Sequence, residues 1–467
     1  MKFYARLKPM LGWLKTTKLH FIGIGGIGMS GIAEVLLDLG YKISGSDLNS
    51  SSVTDNLKKK GAEIYIGHSA SNVEDVTLVI YSSAIDNKNP EFSRAAELNI
   101  PMIRRAEMLA ELMRLKFGIA VAGSHGKTTT TSLIATIFQE AKLDATHIIG
   151  GIVHNLGGNA RKGDGQYLIA EADESDGSFL LLNPIMAAVT NIDNDHLDFY
   201  GTEEKIVEAF IEFVNKLPFY GRAALNFNDP NSMAIKNKIK RPVVWYGINI
   251  PESDADYVAK NISLSASGTK FDLYFKAEKI RSIETHLMGM HNVSNTLAAI
   301  SISHQAEVNW ETIQQGLLSF KGVGRRLEKL YEKNSFLVVD DYGHHPTEVK
   351  ATISALKNVD HRPLCVVFEP HRYSRTQNFW NEFQESFEGA DEIFISPIYA
   401  ASEQPIAGIT SEELVVAMKN KGKKVTYIKS LDEMKEILIS KKDKDCIFLT
   451  LGAGAISKKI REMIKAL

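Results

Sequence analysis

The glycine-rich stretch AGSHGKTTTT has the composition of a loop that holds a phosphate chain. Gly126, Lys127 and Thr128 match the end of a known phosphate-binding pattern, in which glycine is followed by four residues and then by Gly-Lys-Ser/Thr. The first glycine of that pattern would fall at Val121, whereas Gly123 lies nearer the lysine. The stretch is therefore a variant of the pattern, and its ligand and reaction have to be inferred from the rest of the chain.

A nucleoside triphosphate is the ligand that this stretch favours. It follows a predicted strand and opens a predicted helix, so Lys127 would contact the β- and γ-phosphates and the Thr128 hydroxyl would bind Mg²⁺. A helix that begins with four β-branched threonines has low intrinsic propensity, so function explains the run better than local stability does. A tight turn without a ligand is the competing interpretation.

A second glycine-rich stretch, GIGGIGMSG, also lies between a predicted strand and a predicted helix. Gly23, Gly25 and Gly28 fit the spacing G-x-G-x-x-G, and Asp47 ends the next strand. Glycines allow the backbone to approach a diphosphate, and the helix N-terminus supplies N–H donors. Alone, the pattern favours a nicotinamide or flavin dinucleotide over a nucleotide sugar or an empty turn. Hydride transfer needs no ATP, however, whereas activation of a carboxylate does, so the two loops together argue against a simple dehydrogenase.

Acidic side chains follow two further predicted strands. Glu171 ends the strand in YLIAEADESDGSF, and a carboxylate at that end of a strand, beside a phosphate loop, can hold Mg²⁺ directly or through water. For Asp173, Glu174 and Asp176, which follow, a solvated acidic loop is the alternative. The next strand leads into VTNIDNDHLDFYG, where oxygen ligands surround His196. A second divalent ion would suit this set, although a lone histidine more often caps a helix or forms a hydrogen bond.

Two asparagines near the start of a predicted helix offer donors and acceptors together. The stretch MGMHNVSNTLAAIS opens a helix at His291, and Asn292 and Asn295 share a face near its N-terminus. Amide groups suit the edge of an adenine base. Helix capping explains this stretch equally well when it is taken alone.

Polar residues also follow two strands near the C-terminal end. The run VVDDYGHHPTEVKATISAL ends a strand at Asp341, and its adjacent His344 and His345 lack the i, i+4 spacing for joint metal binding, which favours polar contacts with a substrate. In FEPHRYSRT, Arg372 and Arg375 follow another strand. Arginine at a strand end suits a carboxylate or a phosphate, and a surface charge pair is the alternative.

The elements that position these residues predict an α/β protein. Short apolar runs alternate with longer helical patterns, which favours βαβ units and mostly parallel sheets. The stretch ADYVAKNISLSASGTKFDLYFK is the exception and predicts an antiparallel hairpin. A length of 467 residues suggests about three domains, and we place their boundaries near residues 116 and 321.

The composition excludes several classes of protein. A formal net charge of −2 with a pI near 6.7 predicts no nucleic-acid partner, and no apolar run is long enough to predict a transmembrane helix. The basic N-terminal stretch MKFYARLKPMLGWLKTTK has too short an apolar core for a signal peptide. Cys365 and Cys446 lie in apolar runs and are expected to be buried thiols. We therefore expect a cytoplasmic enzyme without membrane insertion.

Taken together and in order, several stretches resemble the Mur ligases of bacterial peptidoglycan synthesis. Each glycine run is a weak signal alone, whereas the set is specific and extends nearly from end to end. The matching stretches are HFIGIGGIGMSGIAEVL, GSHGKTTTT, EADESDGSFL, TNIDNDHLD, HNVSNTLAAI, GVGRRLE, DDYGHHPTEV and PHRYSRT.

This resemblance implies a three-domain architecture and a reaction. A Rossmann-like UDP-sugar-binding domain (residues 1–116), a P-loop-type ATP-binding domain (117–321) and a Rossmann-like amino-acid or ligase domain (322–467) would follow one another. The implied substrates are UDP-N-acetylmuramate, L-alanine and ATP, with Mg²⁺, or Mn²⁺ in its place, as the metal. Amide formation would proceed through an acyl phosphate and release ADP and phosphate. A bacterial cytoplasmic monomer or weak homodimer is expected.

Alternatives to this reaction remain within and outside the family. Another amino acid, or a recycled murein peptide, could be the amine substrate. An oxidoreductase that uses GIGGIG and Asp47, or an ATP-binding switch without catalysis, would belong to a different class.

The resemblance also assigns residues to roles. Implied ATP contacts are Gly123, Ser124, Gly126, Lys127, Thr128, Thr129, Asn292, Asn295, Arg326 and Asp341, with the asparagines on adenine, Arg326 on phosphate and Asp341 on ribose. Implied UDP-sugar contacts are Gly23, Gly25, Gly26, Gly28, Ser46, Asp47, His68, Ser82, Ser83, His125, Glu174 and Asn191. Implied amino-acid contacts are Tyr342, His344, Arg372 and Arg375. Implied metal ligands are Thr128, Glu171 and His196, and implied catalytic residues are Lys127, His196, Arg326 and His344.

Two positions depart from the family pattern. Ser124 stands where threonine is usual, which keeps a hydroxyl. Ser402, in YAASEQPIAG, stands where glycine is usual. If that position needs a positive φ, the loop around it has a different shape in this chain.

Overall fold

Helices and strands alternate through residues 17–82 and 85–465, which are the residues that the computed structural model describes, apart from the side chain of Asp198. Most of the basic N-terminal stretch, and Ser83, lie outside these ranges. Among the described helices, none is both long and apolar enough to cross a membrane.

The strands and helices are numbered in chain order. The strands are β1 (Lys18–Ile22), β2 (Lys42–Asp47), β3 (Glu63–Ile66), β4 (Leu78–Tyr81), β5 (Met102–Arg104), β6 (Phe117–Ala122), β7 (Thr146–Val153), β8 (Gly158–Arg161), β9 (Tyr167–Glu171), β10 (Met186–Val189), β11 (Arg222–Asn226), β12 (Val243–Ile248), β13 (Tyr257–Ser265), β14 (Gly268–Phe275), β15 (Glu278–Thr285), β16 (Glu328–Lys333), β17 (Phe336–Asp341), β18 (Leu364–Phe368), β19 (Glu392–Ile395), β20 (Val425–Tyr427) and β21 (Cys446–Leu451). The α-helices are α1 (Ile27–Asp38), α2 (Ser52–Lys59), α3 (Pro90–Glu97), α4 (Arg105–Arg114), α5 (Lys127–Glu140), α6 (Leu197–Tyr200), α7 (Glu203–Asn215), α8 (Pro230–Ala234), α9 (Met290–Gln305), α10 (Trp310–Ser319), α11 (Pro346–Lys357), α12 (Tyr373–Asn378), α13 (Trp380–Glu385), α14 (Ser411–Asn420), α15 (Met434–Lys441) and α16 (Ile456–Ile464).

The first sheet is parallel, with the strand order β3-β2-β1-β4-β5. Its central strands are buried on both faces: Phe21 and Ile80 belong to one hydrophobic cluster, and their neighbours Ile22 and Val79 belong to another. Burial on both faces explains why these strands are continuous apolar runs. The chain leaves β1 between β2 and β4, where the strand order reverses, and this is where open parallel sheets bind nucleotides.

The first seven strands of the second sheet in chain order are β6 to β12. They lie side by side in the order β12-β11-β10-β6-β9-β7-β8. These strands are parallel except β8, which forms an antiparallel hairpin with β7. Helix α5 follows β6 and is buried along most of its length. Its Thr131, Ser132 and Thr136 hydroxyls donate to the carbonyls four residues earlier, at 2.8, 2.6 and 2.8 Å. These bonds satisfy buried hydroxyls within the helix, so the polar run is compatible with a core position.

The third sheet has the order β16-β17-β21-β18-β19-β20, with only the edge strand β16 antiparallel to its neighbour. Its central strands are again buried on both faces, with Val366 in one hydrophobic cluster and Val367 in the other. Cys365 and Cys446 are buried free thiols, as the sequence predicts. Strands β13 and β14 confirm the predicted hairpin, and β15 adds a third strand beside β14 that the sequence analysis missed.

The chain forms two compact units. The first contains the described residues up to Gly247, Ser253–Tyr257 and Thr296–Ser319, including the first sheet and seven strands of the second. The other contains Ile248–Glu252, Val258–Asn295 and the described residues from Phe320 onward, including the third sheet. The predicted fold class, α/β with three consecutive domains and mostly parallel sheets, is confirmed. The boundaries near residues 116 and 321 remain predictions.

Candidate active site

The turn between β6 and α5 depends on two glycines. Gly123 has φ +131° and Gly126 has φ +83°, a region that residues with a side chain rarely adopt. A Cβ on Gly123 would overlap the Thr190 hydroxyl and lie 3.0 Å from the Asn191 carbonyl oxygen. The turn is therefore closed tightly against the end of β10, and α5 begins directly after it at Lys127.

Side chains from the segment after β10 fix the shape of this turn. The Asn191 side-chain amide forms two hydrogen bonds with the His125 backbone. Its Oδ1 accepts from the His125 N–H at 2.9 Å, and its Nδ2 donates to the His125 carbonyl at 3.0 Å. His125 Nε2 lies 3.0 Å from an Asp193 carboxylate oxygen, and the Ser124 hydroxyl accepts from the Asp193 N–H at 2.8 Å. The structure thus brings His125 and Asn191 together with the phosphate loop.

Lys127 is held at the mouth of this loop by carboxylates. Its ammonium donates to Glu174 at 2.7 Å and to the Gly123 carbonyl at 2.7 Å. Burial opposes the charge, but Glu174 and Asp173 raise the pKa of Lys127 above its ordinary value. Burial also raises the pKa of Glu174 to about 7, against the pull of Lys127. A lysine that stays charged beside free backbone N–H groups at a helix start is suited to phosphate.

The three predicted metal ligands fall into two groups near Lys127. The Thr128 hydroxyl donates to Glu171 at 3.2 Å, and the other Glu171 oxygen accepts from the Gly150 N–H at 2.6 Å. His196 Nε2 lies 3.7 Å from Glu174 Oε1. Glu174 Oε2 is buried and has no hydrogen-bond partner among the described residues. A hydroxyl and two carboxylates, one of which includes this orphaned oxygen, fit a hard divalent cation such as Mg²⁺.

The turn after β1 forms the second candidate phosphate loop. The Gly23 and Ile24 N–H groups both donate to the Ser46 carbonyl at 2.9 Å, and the Gly25 N–H donates to Asp47 at 2.9 Å. Gly26 is the N-cap of α1 and offers no side chain to the first N–H groups of that helix. Those donors are therefore available to an anion.

Other predicted contacts of the nucleotide sugar lie around this turn. Ser82 follows β4, and its Cβ lies 3.8 Å from the position of a Cβ on Gly23. Ser46 and His68 come together around Glu91, a buried residue that the sequence analysis missed. The prediction for Ser83 falls outside the described residues.

Arg105, at the start of α4, is another residue that the sequence analysis missed. Its guanidinium donates to Asp173 at 3.0 Å. A Cβ on Gly28 would lie 3.1 Å from the same guanidinium, which therefore sits beside the helix that follows the second glycine turn. Arg105 thus links α1 to the acidic segment that carries Glu174. The sequence showed it only as part of a charged helix.

In the second unit, the predicted adenine and ribose contacts are already engaged in hydrogen bonds. Asn295 Nδ2 donates to Asn292 Oδ1 at 3.1 Å, so the two asparagines lie together as predicted. The Asp341 carboxylate accepts from the N–H groups of Leu327 and Gly343 at 2.7 and 2.8 Å. Burial raises the pKa of Asp341. Its carboxylate thus holds the two adjoining loops.

Tyr342, His344 and Arg326 also lie together. The Arg325 and Arg326 guanidinium carbons lie 4.7 and 5.1 Å from the centre of the Tyr342 ring, and the His344 ring lies 5.0 Å from it. Glu348 joins them, since its carboxylate oxygens lie 3.1 Å from His344 Nδ1 and 3.6 Å from Arg326. Glu348 was not singled out in the sequence, although its place three residues after His345 is that of a capping-box acid.

The two predicted arginines have different surroundings. Arg372, at φ +72°, forms an ion pair with Glu403 at 2.6 Å. Arg375 is buried, and its guanidinium lies 3.4 Å from His371 Nδ1. Burial and the neighbouring cations lower the pKa of His371 to about 3, and its ring stacks on Tyr399.

Two further positions have structural explanations. His345 caps α11, where its Nδ1 accepts from the Thr347 N–H at 3.3 Å. Ser402 adopts φ +72°, so this position has the left-handed conformation that favours glycine, although it carries a side chain.

Comparison with known proteins defines the class of the protein. Three family models match in order: "Mur ligase family, catalytic domain" over residues 18–117, "Mur ligase middle domain" over 121–303 and "Mur ligase, glutamate ligase domain" over 325–454. The chain therefore belongs to the Mur ligase family, whose members are ATP-dependent ligases that form amide bonds. The family resemblance predicted from the sequence is confirmed.

Individual relatives match over nearly the whole chain. UDP-N-acetylmuramate–L-alanine ligase of Geotalea daltonii is 49% identical over 454 residues, covering 97% of this chain and 98% of the relative. The enzyme of the same name from a Geobacter species (strain M21) is 50% identical over 444 residues, covering 95% and 96%. The crystal structure of UDP-N-acetylmuramate–alanine ligase from Thermotoga maritima matches with a TM-score of 0.82 and 27% identity, covering 96% of this chain and 98% of that one.

Proposed function

We propose that this protein joins L-alanine to UDP-N-acetylmuramate, with conversion of ATP to ADP and phosphate, in the synthesis of peptidoglycan precursors. The observation that carries the proposal is the charged Lys127 held at the phosphate loop by Glu174, next to the Thr128–Glu171 pair. The near end-to-end identity with ligases of that name supports the two substrates. A bacterial cytoplasmic location and a state of monomer or weak homodimer belong to the same proposal.

Binding of ATP is assigned to the β6–α5 turn. Lys127 and the N–H groups at the start of α5 contact the β- and γ-phosphates, and Thr128 and Glu171 would hold Mg²⁺ or, in its place, Mn²⁺. When bound, this metal would neutralise part of the negative charge of the phosphates. His196 and Glu174 would offer ligands for a second divalent ion near the sugar carboxylate. Lys127 then stabilises charge that develops on the transferring phosphoryl group, which is the main form of catalysis in such reactions.

The reaction has two steps. An oxygen of the sugar's lactyl carboxylate attacks the γ-phosphorus, the bond to the β-phosphate oxygen breaks, and ADP leaves an acyl phosphate behind. The L-alanine amine then attacks the acyl carbon, loses a proton and expels inorganic phosphate from a tetrahedral intermediate. Holding the reactants in line is the chief contribution of the protein.

The amino acid is assigned to the group around Tyr342. Arg375 is suited to the alanine carboxylate because it is buried and lies beside a neutral His371. Arg372 acts more indirectly, since Glu403 already occupies its guanidinium. Tyr342 and His344 border the group, and Arg326 remains the proposed phosphate contact. Asn292, Asn295 and Asp341 keep their proposed roles on adenosine.

The nucleotide sugar is assigned to the β1–α1 turn, with its diphosphate at the uncapped start of α1. Arg105 supports this assignment because a second positive charge lies beside Gly28. The domain boundaries near residues 116 and 321 remain part of the proposal.

The proposal is tested by phosphate release with UDP-N-acetylmuramate, ATP, Mg²⁺ and one amino acid at a time. We expect release that requires both the sugar and L-alanine and that Lys127→Ala abolishes. Lys205→Ala, which removes an exposed lysine of α7, is the matched control and should keep full activity. Absence of release with every amino acid, in folded wild-type protein, would contradict the proposal. Release only with a preformed peptide would indicate a recycling ligase instead.

A further inference from the structure

Glu91 is a fully buried carboxylate at the start of α3. Pro90 occupies the first helical position, and the Asn89 side chain accepts from the Glu91 and Phe92 N–H groups at 2.9 and 3.3 Å. Asparagine at the N-cap and proline at the first position are both typical of helix starts. The sequence thus begins the helix at this point and places Glu91 in its first turn. Its side chain has no solvent exposure.

Within the described part of the chain, every hydrogen-bond partner of this carboxylate is a donor. The Ser46 hydroxyl lies 2.5 Å from Oε2, and His68 Nδ1 lies 3.2 Å from the same oxygen. Asn72 Nδ2 and the Ser69 N–H donate to Oε1 at 2.5 and 3.4 Å. Burial alone would raise the pKa of Glu91, but His20 and the hydrogen bonds from Ser46 and Asn72 lower it to about 2. Glu91 is therefore a buried anion.

The same network fixes the proton of His68. The Ser46 hydroxyl gives its hydrogen to Glu91, so its oxygen accepts from His68 Nδ1, 3.0 Å away. Because a carboxylate only accepts, Nδ1 must carry a hydrogen, and in the neutral ring Nε2 is then an acceptor. Ser46 is buried, whereas the His68 side chain is 13% exposed. His68 thus extends the network from the buried Ser46 and Glu91 toward the surface.

This network lies next to the β1–α1 turn. The Ser46 carbonyl accepts the N–H groups of Gly23 and Ile24 in that turn, at 2.9 Å each. Ser46 is near the carboxyl end of β2, and His68 follows β3, the strand next to β2. Nucleotides bind along this edge of an open parallel sheet, with the diphosphate at the glycine turn and the nucleoside toward the neighbouring strands. His68 therefore lies where the nucleoside would extend.

We propose that Glu91 is a positioning residue of the nucleotide-sugar site, which holds the His68 proton on Nδ1 and so presents Nε2 as a hydrogen-bond acceptor to a donor of the uridine. The inference rests on the proposed function, because that function supplies a uridine nucleotide as substrate. Uridine offers the imide N–H of its base and the hydroxyls of its ribose as donors. Glu91 touches no substrate and acts through His68.

Glu91→Gln is the variant that tests this role. The glutamine has nearly the same shape, but its amide group faces a ring of donors. We expect its NH₂ to lie against His68 Nδ1 and to move the ring proton to Nε2. The KM for UDP-N-acetylmuramate should then rise roughly tenfold, as expected for one lost hydrogen bond, with kcat and the KM for ATP unchanged. The ¹⁵N shifts of the His68 ring, identified by their absence in His68→Asn, should show the transfer of the proton.

Matched variants separate positioning from a structural role. Glu97→Gln changes an exposed carboxylate on the same helix and should leave both readouts unchanged. His68→Asn keeps a donor near Nδ1 but lacks the acceptor, so it should raise the same KM even if Glu91→Gln fails to fold. His68→Gln, which restores a polar group near the Nε2 position, should recover part of the affinity.

The remaining outcomes are also decisive. An unchanged His68 tautomer in Glu91→Gln, an unchanged KM, or an equal loss for sugar and ATP would overturn the inference. Two UDP analogues identify the donor in wild type. If N3-methylated UDP binds wild type as weakly as UDP binds Glu91→Gln, the imide N–H is the donor. If 2′-deoxy-UDP does so, the donor is the ribose hydroxyl. If wild type binds UDP without any ligase activity, the proposed function fails, and UDP affinity still tests Glu91.

Discussion

At the scale of single residues, Glu91 makes stability depend on pH. Its folded pKa of about 2 lies below the ordinary value of 4.5, so its contribution is complete above pH 4.5 and is lost as the pH falls toward 2. The difference corresponds to about 3 kcal/mol at neutral pH. At neutral pH, the free energy of unfolding of wild type should therefore exceed that of Glu91→Gln by about this amount. The difference between the two proteins should become smaller as the pH is lowered.

This expectation is checked by thermal unfolding of both proteins from neutral pH down to about pH 2. Glu97→Gln is the control, because its exposed side chain should matter little at any pH. A gap that is constant over the range would show that the hydrogen bonds of Glu91 do not depend on its ionisation.

Ser402 is a non-glycine residue in a left-handed backbone conformation, which carries a conformational cost. Its φ of +72° follows a φ of +46° at Ala401, and both residues are exposed. A side chain in this region costs about 1–2 kcal/mol, of which the added freedom of an unfolded glycine offsets about 0.4–1 kcal/mol. Ser402→Gly should therefore stabilise the protein by about 0.5–1 kcal/mol in urea unfolding.

Ser440→Gly is the matched comparison for this prediction. Ser440 is exposed on α15. Because glycine is unfavourable inside a helix, Ser440→Gly should destabilise the protein by about 0.5–1 kcal/mol. Equal effects of the two substitutions would mean that the conformation of Ser402 is not strained.

At the scale of elements, the β6–α5 turn sets the position of Lys127. A methyl group on Gly123 would overlap Thr190, so Gly123→Ala must displace the turn from β10. A displacement of about 1 Å in a catalytic site lowers rates about 100-fold. We therefore expect Gly123→Ala to lower kcat/KM for ATP by at least about 100-fold, measured by phosphate release at saturating sugar and L-alanine.

Gly157→Ala separates local crowding from backbone strain. Gly157 lies between β7 and β8 with φ +78°, and no atom of the residues that the structure describes lies within 4 Å of an added Cβ. The substitution carries a strain of about 1–2 kcal/mol and should leave ATP kinetics unchanged. A similar loss of activity in both variants would show that a positive φ, and not the packing against β10, explains the effect.

At the scale of the whole molecule, the sequence predicts features that local residues determine. The strand–helix alternation follows from apolar runs of the right length, and Lys127 with Thr128 follows from a contiguous motif. By contrast, Ser46 and Glu91 are 45 residues apart, and Arg105 and Asp173 are 68 apart. No local pattern marks such pairs, because only the packed sheets bring them together. The β7–β8 hairpin was missed for a local reason, since the adjacent Gly150 and Gly151 interrupt the strand pattern.

The Arg105–Asp173 ion pair predicts coupling between the two glycine turns of the first unit. Arg105 lies beside Gly28, and Asp173 adjoins the residue that holds Lys127. We expect the diphosphate to attract the guanidinium, so Arg105→Ala should lower kcat/KM for the nucleotide sugar by roughly 10–100-fold, as for a lost hydrogen bond to a charged group. Asp173→Ala should have a smaller effect, and the double variant should resemble Arg105→Ala alone, because each substitution removes the same pair.

Arg94→Ala is the control for this double-mutant cycle, since Arg94 forms surface ion pairs in the same domain and should leave kcat/KM unchanged. Strict additivity of Arg105→Ala and Asp173→Ala would mean that the ion pair carries no coupling and that each residue acts separately. The effects on kcat/KM for the sugar are expected to be non-additive. If Arg105→Ala also raises the KM for ATP, ligand binding at the β1–α1 turn is coupled to ligand binding at the β6–α5 turn. The ion pair is partly exposed, with side chains 23% and 40% accessible, so the coupling should weaken as salt is added.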